Sequence, residues 1–241
     1  MAAPSSASAI ISTVLELEAF LRSLPSSKTI YLDLEGESLS RHGTLSLITL
    51  LIHPQEEVRV IDVLALGAST FTVASNDGTT LKSILEAPDI PKYVWDVRND
   101  ADALWAHYNV GLAGVTDLQL LENVSRAGDK TYVRGLDTCV KYDLVLGWLE
   151  KRDWLRTKEE LRSLMPTGIF SHRPMDTKTL QYCVNDVVHL PKLHAVYSNR
   201  AGNDGLRMVI EESERRVTEA RSPEYDPQSP SKKFGPWASR A

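Results

Sequence analysis

Only two cysteines, Cys139 and Cys183, occur in the 241 residues. That is too few for a disulfide framework, and their separation is not zinc-ligand spacing. A reducing compartment, cytoplasm or nucleus, is therefore expected rather than secretion. No apolar run approaches the roughly 18 residues a membrane helix requires, so no span is expected. The opening, Met1-Ala-Ala-Pro-Ser-Ser-Ala-Ser, lacks a basic segment followed by an apolar core, so no secretory signal is expected either. No internal repeat is found. Positive charge is not in excess: the net charge is −5, which weighs against a generic nucleic-acid coat. That charge is unevenly spread. Residues 1–125 hold 7 Lys+Arg against 16 Asp+Glu, and residues 126–241 hold 20 against 16. An acidic half beside a mildly basic one suits a metal-binding cleft with a phosphate-holding flank. Two ordinary solvated surfaces would look the same.

What is present is ordinary for a globular protein: 42% hydrophobic and 24% charged residues, enough for one sizeable core. A first strand is expected near residues 9–14, with Thr13 capping a helix over 15–24. Runs at 29–34, 44–52 and 58–63 read as strands joined by hairpin-length separators. Residues 81–86 and 100–108 read as helices, 92–95 as a strand, and 115–122 as a strand turning into a helix. Short helices and loops are expected from 129 to 173. Asp176 is placed to cap an amphipathic helix over 177–197, and another helix follows at about 206–220. Strands in hairpins first, then strands alternating with helices, imply an α/β fold with a mixed sheet flanked by helices. The expected division is a flexible start (1–8), one folded domain (9–221) and a disordered Pro/Ser-rich tail (222–241).

Ile30-Tyr-Leu-Asp-Leu-Glu-Gly36 is the stretch that asks for an explanation. Side chains alternate faces along a strand, so Asp33 and Glu35 share one face and Leu32 and Leu34 the other. Like charges side by side on a sheet wall repel and lose hydration. In Tyr182-Cys-Val-Asn-Asp186 the tyrosine and aspartate lie one helical turn apart and project from the same face. Asp100 stands at the start of another helix. Four carboxylates converging on one place need an offsetting charge, which hard divalent cations supply through oxygen ligands. Two such ions about 3.5–4 Å apart can activate a water and stabilise the leaving oxygen of a phosphodiester. A nearby phenol can orient that water.

This order of motifs resembles the DEDD superfamily of 3′–5′ exonucleases, and within it the tyrosine branch that includes RNase D, from about residue 9 to 198. Asp33 and Glu35 are similar to the first motif, Asp100 in Val97-Arg-Asn-Asp-Ala-Asp-Ala-Leu104 to the second, and Tyr182 and Asp186 to the third. Gln181 stands where the sister branch has histidine. Arg173-Pro-Met175 looks like the Arg-Pro-Leu that often precedes the third motif, and Asp117 looks like the structural aspartate after the second. Asp33-Leu-Glu-Gly-Glu-Ser-Leu-Ser-Arg-His-Gly43 more specifically resembles the Egalitarian-like 3′–5′ exonuclease domain proteins. The resemblance implies an RNase H-like single 3′–5′ exonuclease domain. It implies that Asp33, Glu35, Asp100 and Asp186 ligate two Mg²⁺ or Mn²⁺ ions and that Tyr182 positions the attacking water. The implied partner is the single-stranded 3′ end of a nucleic acid, RNA more than DNA. Some members of that group have lost ligands and act as RNA-binding adaptors, so a catalytically silent adaptor on the same fold is the alternative.

Around the motifs, His42 and Arg173 are candidate contacts to a substrate phosphate or base, weighed against a plain turn and a structural salt bridge. Trp95, Trp105, Trp148 and Trp154 are expected in the core rather than as stacking platforms. Cys183, offset by about 100° from Tyr182 on a helix, is expected to be a buried free thiol.

Overall fold

In the computed structural model, which describes residues 10–237, the chain opens with a two-residue strand, Ile10–Ile11 (β1). The expected flexible segment 1–8 lies outside the described residues. Thr13 caps Val14–Ser23 (α1): its hydroxyl accepts from the Glu16 N–H, and the Glu16 carboxylate accepts from the Thr13 N–H. That reciprocal pair satisfies two backbone donors at a helix start, as Thr-x-x-Glu predicts.

Thr29–Glu35 (β2), Leu47–His53 (β3) and Glu57–Asp62 (β4) form an antiparallel meander. Glycines allow its first connection. A Cβ on Gly43 would stand 2.2 Å from the carbonyl oxygens of Glu37 and Ser38, and one on Gly36 would stand 2.0 Å from that of Thr44. Only a residue without Cβ lets these backbones approach so closely. β3 is buried on both faces up to His53, which explains its near-continuous apolar sequence and its place inside the sheet. Two short helices, Val63–Leu66 (α2) and Ser69–Thr72 (α3), precede Leu81–Glu86 (α4). Lys92–Val94 (β5) runs parallel to β2. After Val97–Tyr108 (α5), Val115–Asp117 (β6) runs parallel to β5. The result is a mixed six-stranded sheet in the order β1-β4-β3-β2-β5-β6, with helices on both faces as predicted.

The two faces of β2 part company. Ile30, Leu32 and Leu34 enter the main core with Leu17 and Phe20 of α1, Ile84 and Leu85 of α4, and Leu104 of α5. Tyr31, Asp33 and Glu35 take the opposite face. There lie Leu118–Ser125 (α6), Leu136–Asp143 (α7), Trp148–Arg162 (α8), Thr177–Val188 (α9) and Leu190–Ala220 (α10). Asp176 caps α9 through the N–H groups of Lys178 and Thr179. The single helix expected over 177–197 is two. His189 separates them, and Pro191 sits in the first turn of α10, where its missing N–H costs no hydrogen bond. α10 is itself kinked at Gly202, whose φ of 64° and ψ of −177° no helix allows. Among the described residues no helix is long and apolar enough to cross a membrane.

The stretch after Ala220 departs from expectation. Instead of being disordered it folds back over α5 as far as Trp237; residues 238–241 lie outside the described ones. Arg41 donates to the carbonyls of Ala220, Ser222 and Pro223. A 3-10 turn, Pro230–Lys233, follows. The Val133 N–H then donates to the Lys233 carbonyl at 3.0 Å, the Gly235 N–H to that of Thr131 at 2.8 Å, and Phe234 stacks on Tyr132. Composition misleads here because the stretch is held by backbone pairing and a few aromatic contacts. Neither leaves a hydrophobic period in the sequence.

Candidate active site

The alternation of β2 delivers Asp33 and Glu35 to the face that α9 covers. On α9, Tyr182 and Asp186 are one turn apart and both buried. One carboxylate oxygen from each of Asp33, Glu35 and Asp186 lies within 4.8 Å of the other two. Such crowding is costly for anions. Burial first and the charge of Asp186 second push the Asp33 carboxyl up to about 8. Burial and then the Asp33 charge raise Glu35, and burial raises Asp186. Asp33 Oδ2 is enclosed and has no hydrogen-bond donor.

Asp100 occupies the first turn of α5 and is 7% exposed. Three other acidic residues crowd this stretch, and the structure separates them. Asp96 is paired with Arg98 at 2.6 Å, and Asp102 with Arg41 at 2.7 Å. Asp117 accepts from the N–H groups of Asp96 and Val97 and pairs with Arg216 at 2.7 Å, which ties the start of α5 to β6. That is the structural part expected of it. Among the described residues Asp100 has no such arginine. Burial, and next the charge of Asp33, raise its carboxyl well above the usual range.

The residue that sequence reasoning missed is Lys158, on α8. Its ammonium forms an ion pair with Asp186 and donates to Tyr182 Oη at 3.1 Å. It also lies 4.4 Å from the Tyr182 ring centroid. Burial alone pulls a lysine down, but Asp186, then Asp33 and Glu35, outweigh it and keep this one protonated. Lys158 is thus the internal counter-charge of the cluster. Its signal in the sequence is a lysine four residues after a buried tryptophan, which is too common to single out. The Tyr182 phenol is held up by burial and by the carboxylates, so it stays a hydrogen-bond donor at any neutral pH.

The two candidate substrate contacts stand apart from the carboxylates. Arg173 does not reach into the cluster: its guanidinium donates to both oxygens of buried Asp62, at 2.5 and 2.6 Å, and to the Phe170 and His172 carbonyls. It is a structural pair, because Asp62 also caps α2 and would otherwise be buried unpaired. His42 is exposed, and its backbone N–H donates to Ser40 Oγ. Among the described residues no hydrogen bond or ion pair joins its imidazole to the carboxylates. Trp154 is buried as expected, donating to the Asn185 carbonyl, whereas Trp148 is 72% exposed with Arg152 over its ring. Cys183 is a buried free thiol. A second acidic group, Glu122, Cys139 and Asp143, is neutralised by Arg126, Arg134 and Arg200 and is no competitor for a cation.

The donor set at Asp33, Glu35, Asp100 and Asp186 is all carboxylate oxygen, with Asp33 and Glu35 half-buried, Asp100 and Asp186 buried, and Lys158 as counter-charge. It fits a hard divalent cation of the Mg²⁺ or Mn²⁺ kind better than a soft metal. A pH dependence follows. In the folded, metal-free protein Asp33 holds its proton up to about pH 8, whereas an unfolded aspartate releases it near 3.9. The folded state therefore binds the extra proton across that window, and stability falls as pH rises through it. In EDTA the thermal midpoint is expected to drop between pH 5 and 8, and Asp33→Asn to flatten the drop. An equally steep fall in Asp33→Asn would show that another group is responsible.

A family model described as 3′–5′ exonuclease matches residues 8–199 of the chain. The piRNA biogenesis protein EXD1 of Xenopus laevis is 28% identical over 199 residues, covering 78% of this chain and 41% of that protein. The chain therefore spans less than half the length of that relative. Trypanosoma brucei RNase D, solved in complex with RNA U12, matches with a TM-score of 0.69 at 21% identity, over 89% of this chain and 70% of that one. Escherichia coli RNase D matches with a TM-score of 0.65 at 20% identity, over 89% and 50% of the two chains. At these identities the solved structures speak for the fold.

Proposed function

The chain belongs to the 3′–5′ exonuclease family, and from that premise we propose that it is a divalent-metal-dependent hydrolase of phosphodiester bonds at the 3′ end of nucleic acid, with RNA favoured over DNA. The observation that carries the reading is the meeting of one carboxylate oxygen each from Asp33, Glu35 and Asp186 within 4.8 Å, with Asp33 Oδ2 lacking a donor and Asp100 near enough for the charge of Asp33 to raise it. These four would hold two Mg²⁺ or Mn²⁺ ions, which when bound supply charge neutralisation of the phosphate and a water acidified towards hydroxide.

The chain's own residues do the rest. Tyr182 Oη, one turn from Asp186 and steadied by Lys158, donates a hydrogen bond that orients the attacking water. An ordinary phenol titrates at about 10, so Tyr182 serves as a positioning group for the water. Oxygen from water adds to the terminal phosphorus, and the bond to the 3′ oxygen of the preceding nucleotide breaks. That oxygen leaves with a proton, and a nucleoside 5′-monophosphate is released. The RNA preference is supported by the relatives: one is described as a piRNA biogenesis protein and another was solved with RNA bound.

One observation favours the silent adaptor instead: Lys158 already stands against Asp186, where a cation's charge would be. The two readings part in one assay. Single-stranded RNA labelled at its 5′ end is incubated with the protein and Mn²⁺, Mg²⁺ or EDTA. Shortening from the 3′ end with metal, abolished by EDTA, supports the hydrolase. An intact strand in every lane, with a gel shift of the same RNA independent of metal, supports the adaptor.

A further inference from the structure

The first turn of α5, which carries Asp100, is held from two sides. On the sheet side Asp117 accepts from the N–H groups of Asp96 and Val97. On the other side stands the C-terminal stretch. Asn99, the residue before Asp100, accepts through Oδ1 from Tyr225 Oη at 2.8 Å and from Lys232 Nζ at 2.6 Å. Arg98 donates through Nη2 to the Lys232 carbonyl at 2.9 Å, and through Nε and the same Nη2 to the Asp96 carboxylate. Lys232 thus grips α5 twice, by its carbonyl and by its ammonium. Among the described residues its neighbour Lys233 makes no such contact with α5; its ammonium lies over the Phe234 ring.

The stretch is anchored at both of its ends. Arg41, fixed by Asp102, holds the carbonyls of Ala220, Ser222 and Pro223, and backbone bonds to Thr131 and Val133 hold Lys233 and Gly235. Gly235 is packed so tightly that a Cβ there would stand 2.3 Å from the Lys130 carbonyl oxygen. A loose tail would not need such a fit.

We propose that residues 222–237 are a positioning element of the acidic site, in which Lys232 and Tyr225 fix Asn99 and so aim Asp100 at Asp33, Glu35 and Asp186. The physical need is specific to this place. The first turn of a helix lacks partners for its N–H groups, so a ligand there owes its direction to groups outside the helix. Losing a partner that orients a ligand typically costs about 10–100-fold in affinity for the cation. Lys232 touches no reacting atom on this reading; it acts through Asn99.

The inference rests on the divalent-cation site proposed above, and its test separates the two. Full-length wild type, Lys232→Met, Lys232→Arg and Lys233→Met are compared by Mn²⁺ titration calorimetry and by amide hydrogen exchange. Lys232→Met is expected to bind Mn²⁺ about tenfold more weakly and to exchange faster over residues 98–101. Lys233→Met should match the wild type, and Lys232→Arg should recover most of the affinity. If Lys232→Met does not fold, Tyr225→Phe removes one hydroxyl from the same contact and carries the comparison. Unchanged Mn²⁺ affinity in the folded variant overturns the positioning role. Failure of the wild type to bind Mn²⁺ overturns the cation site, and this inference with it.

Discussion

Asp33→Asn and Asp186→Asn are each expected to lower metal-dependent strand shortening by about 10³-fold, the scale of losing one preorganised electrostatic group. Their effects on the metal-free fold should be opposite in sign. Burial and the charge of Asp186 oppose ionisation of Asp33, which has one oxygen unpartnered, so its amide removes a carboxyl that would otherwise be forced to ionise there as the pH reaches about 8. Asp33→Asn should therefore raise the thermal midpoint in EDTA at pH 8. Asp186 is the ion-pair partner of Lys158, and both side chains are nearly inaccessible, 4% and 12% exposed. Asp186→Asn leaves the ammonium without that partner and should lower the midpoint. Shortening that survives in either folded variant would sink the assignment of these residues. Equal midpoint shifts would sink the charge account.

Lys158→Met is the second large effect. It removes the positive charge that keeps the cluster folded without metal. Breaking a buried pair typically costs about 3–5 kcal/mol; protonation of Asp186 offsets part of that, so the lower end is expected here. In a chain of this size that amounts to a fall in thermal midpoint of about 6–12 °C in EDTA. Mn²⁺ should then recover more stability in the variant than in the wild type, because the ions supply the missing charge. The same variant frees Tyr182 Oη from its donor, so shortening should slow even at saturating metal. Thermal unfolding with and without Mn²⁺ reads the first part and single-turnover assays the second. A Lys158→Met protein as stable as the wild type in EDTA would show that Lys158 is not the counter-charge. In that case the ion pair would no longer favour an adaptor.

The exposed aromatic–cation pair of Trp148 and Arg152 shows how far pattern reading reaches. Nothing distinguishes Trp148 from Trp154 in composition, yet one is solvent-facing and the other is buried against Asn185. Their six-residue separation puts them about 120° apart around α8, and only packing decides which of the two faces inward. The same holds for Arg173. Proximity to the third motif suggested a phosphate contact, but its guanidinium met Asp62, 111 residues earlier in the chain.

By itself the sequence determined what local geometry controls. Period two in β2 placed Asp33 and Glu35 on one face, and period 3.6 in α9 placed Tyr182 over Asp186. Thr13 and Asp176 set helix starts by hydrogen-bond chemistry within a few residues. The tertiary structure alone decided which charges meet. It singled out Asp100 by giving Asp96 and Asp102 an arginine each, set Lys158 against Asp186, and brought Lys232 back across 133 residues to Asn99. The physical reason is that an ion pair or hydrogen bond between distant segments needs only two atoms to come together when the core closes. Such a meeting leaves no period, cap or spacing in the chain from which it could be read.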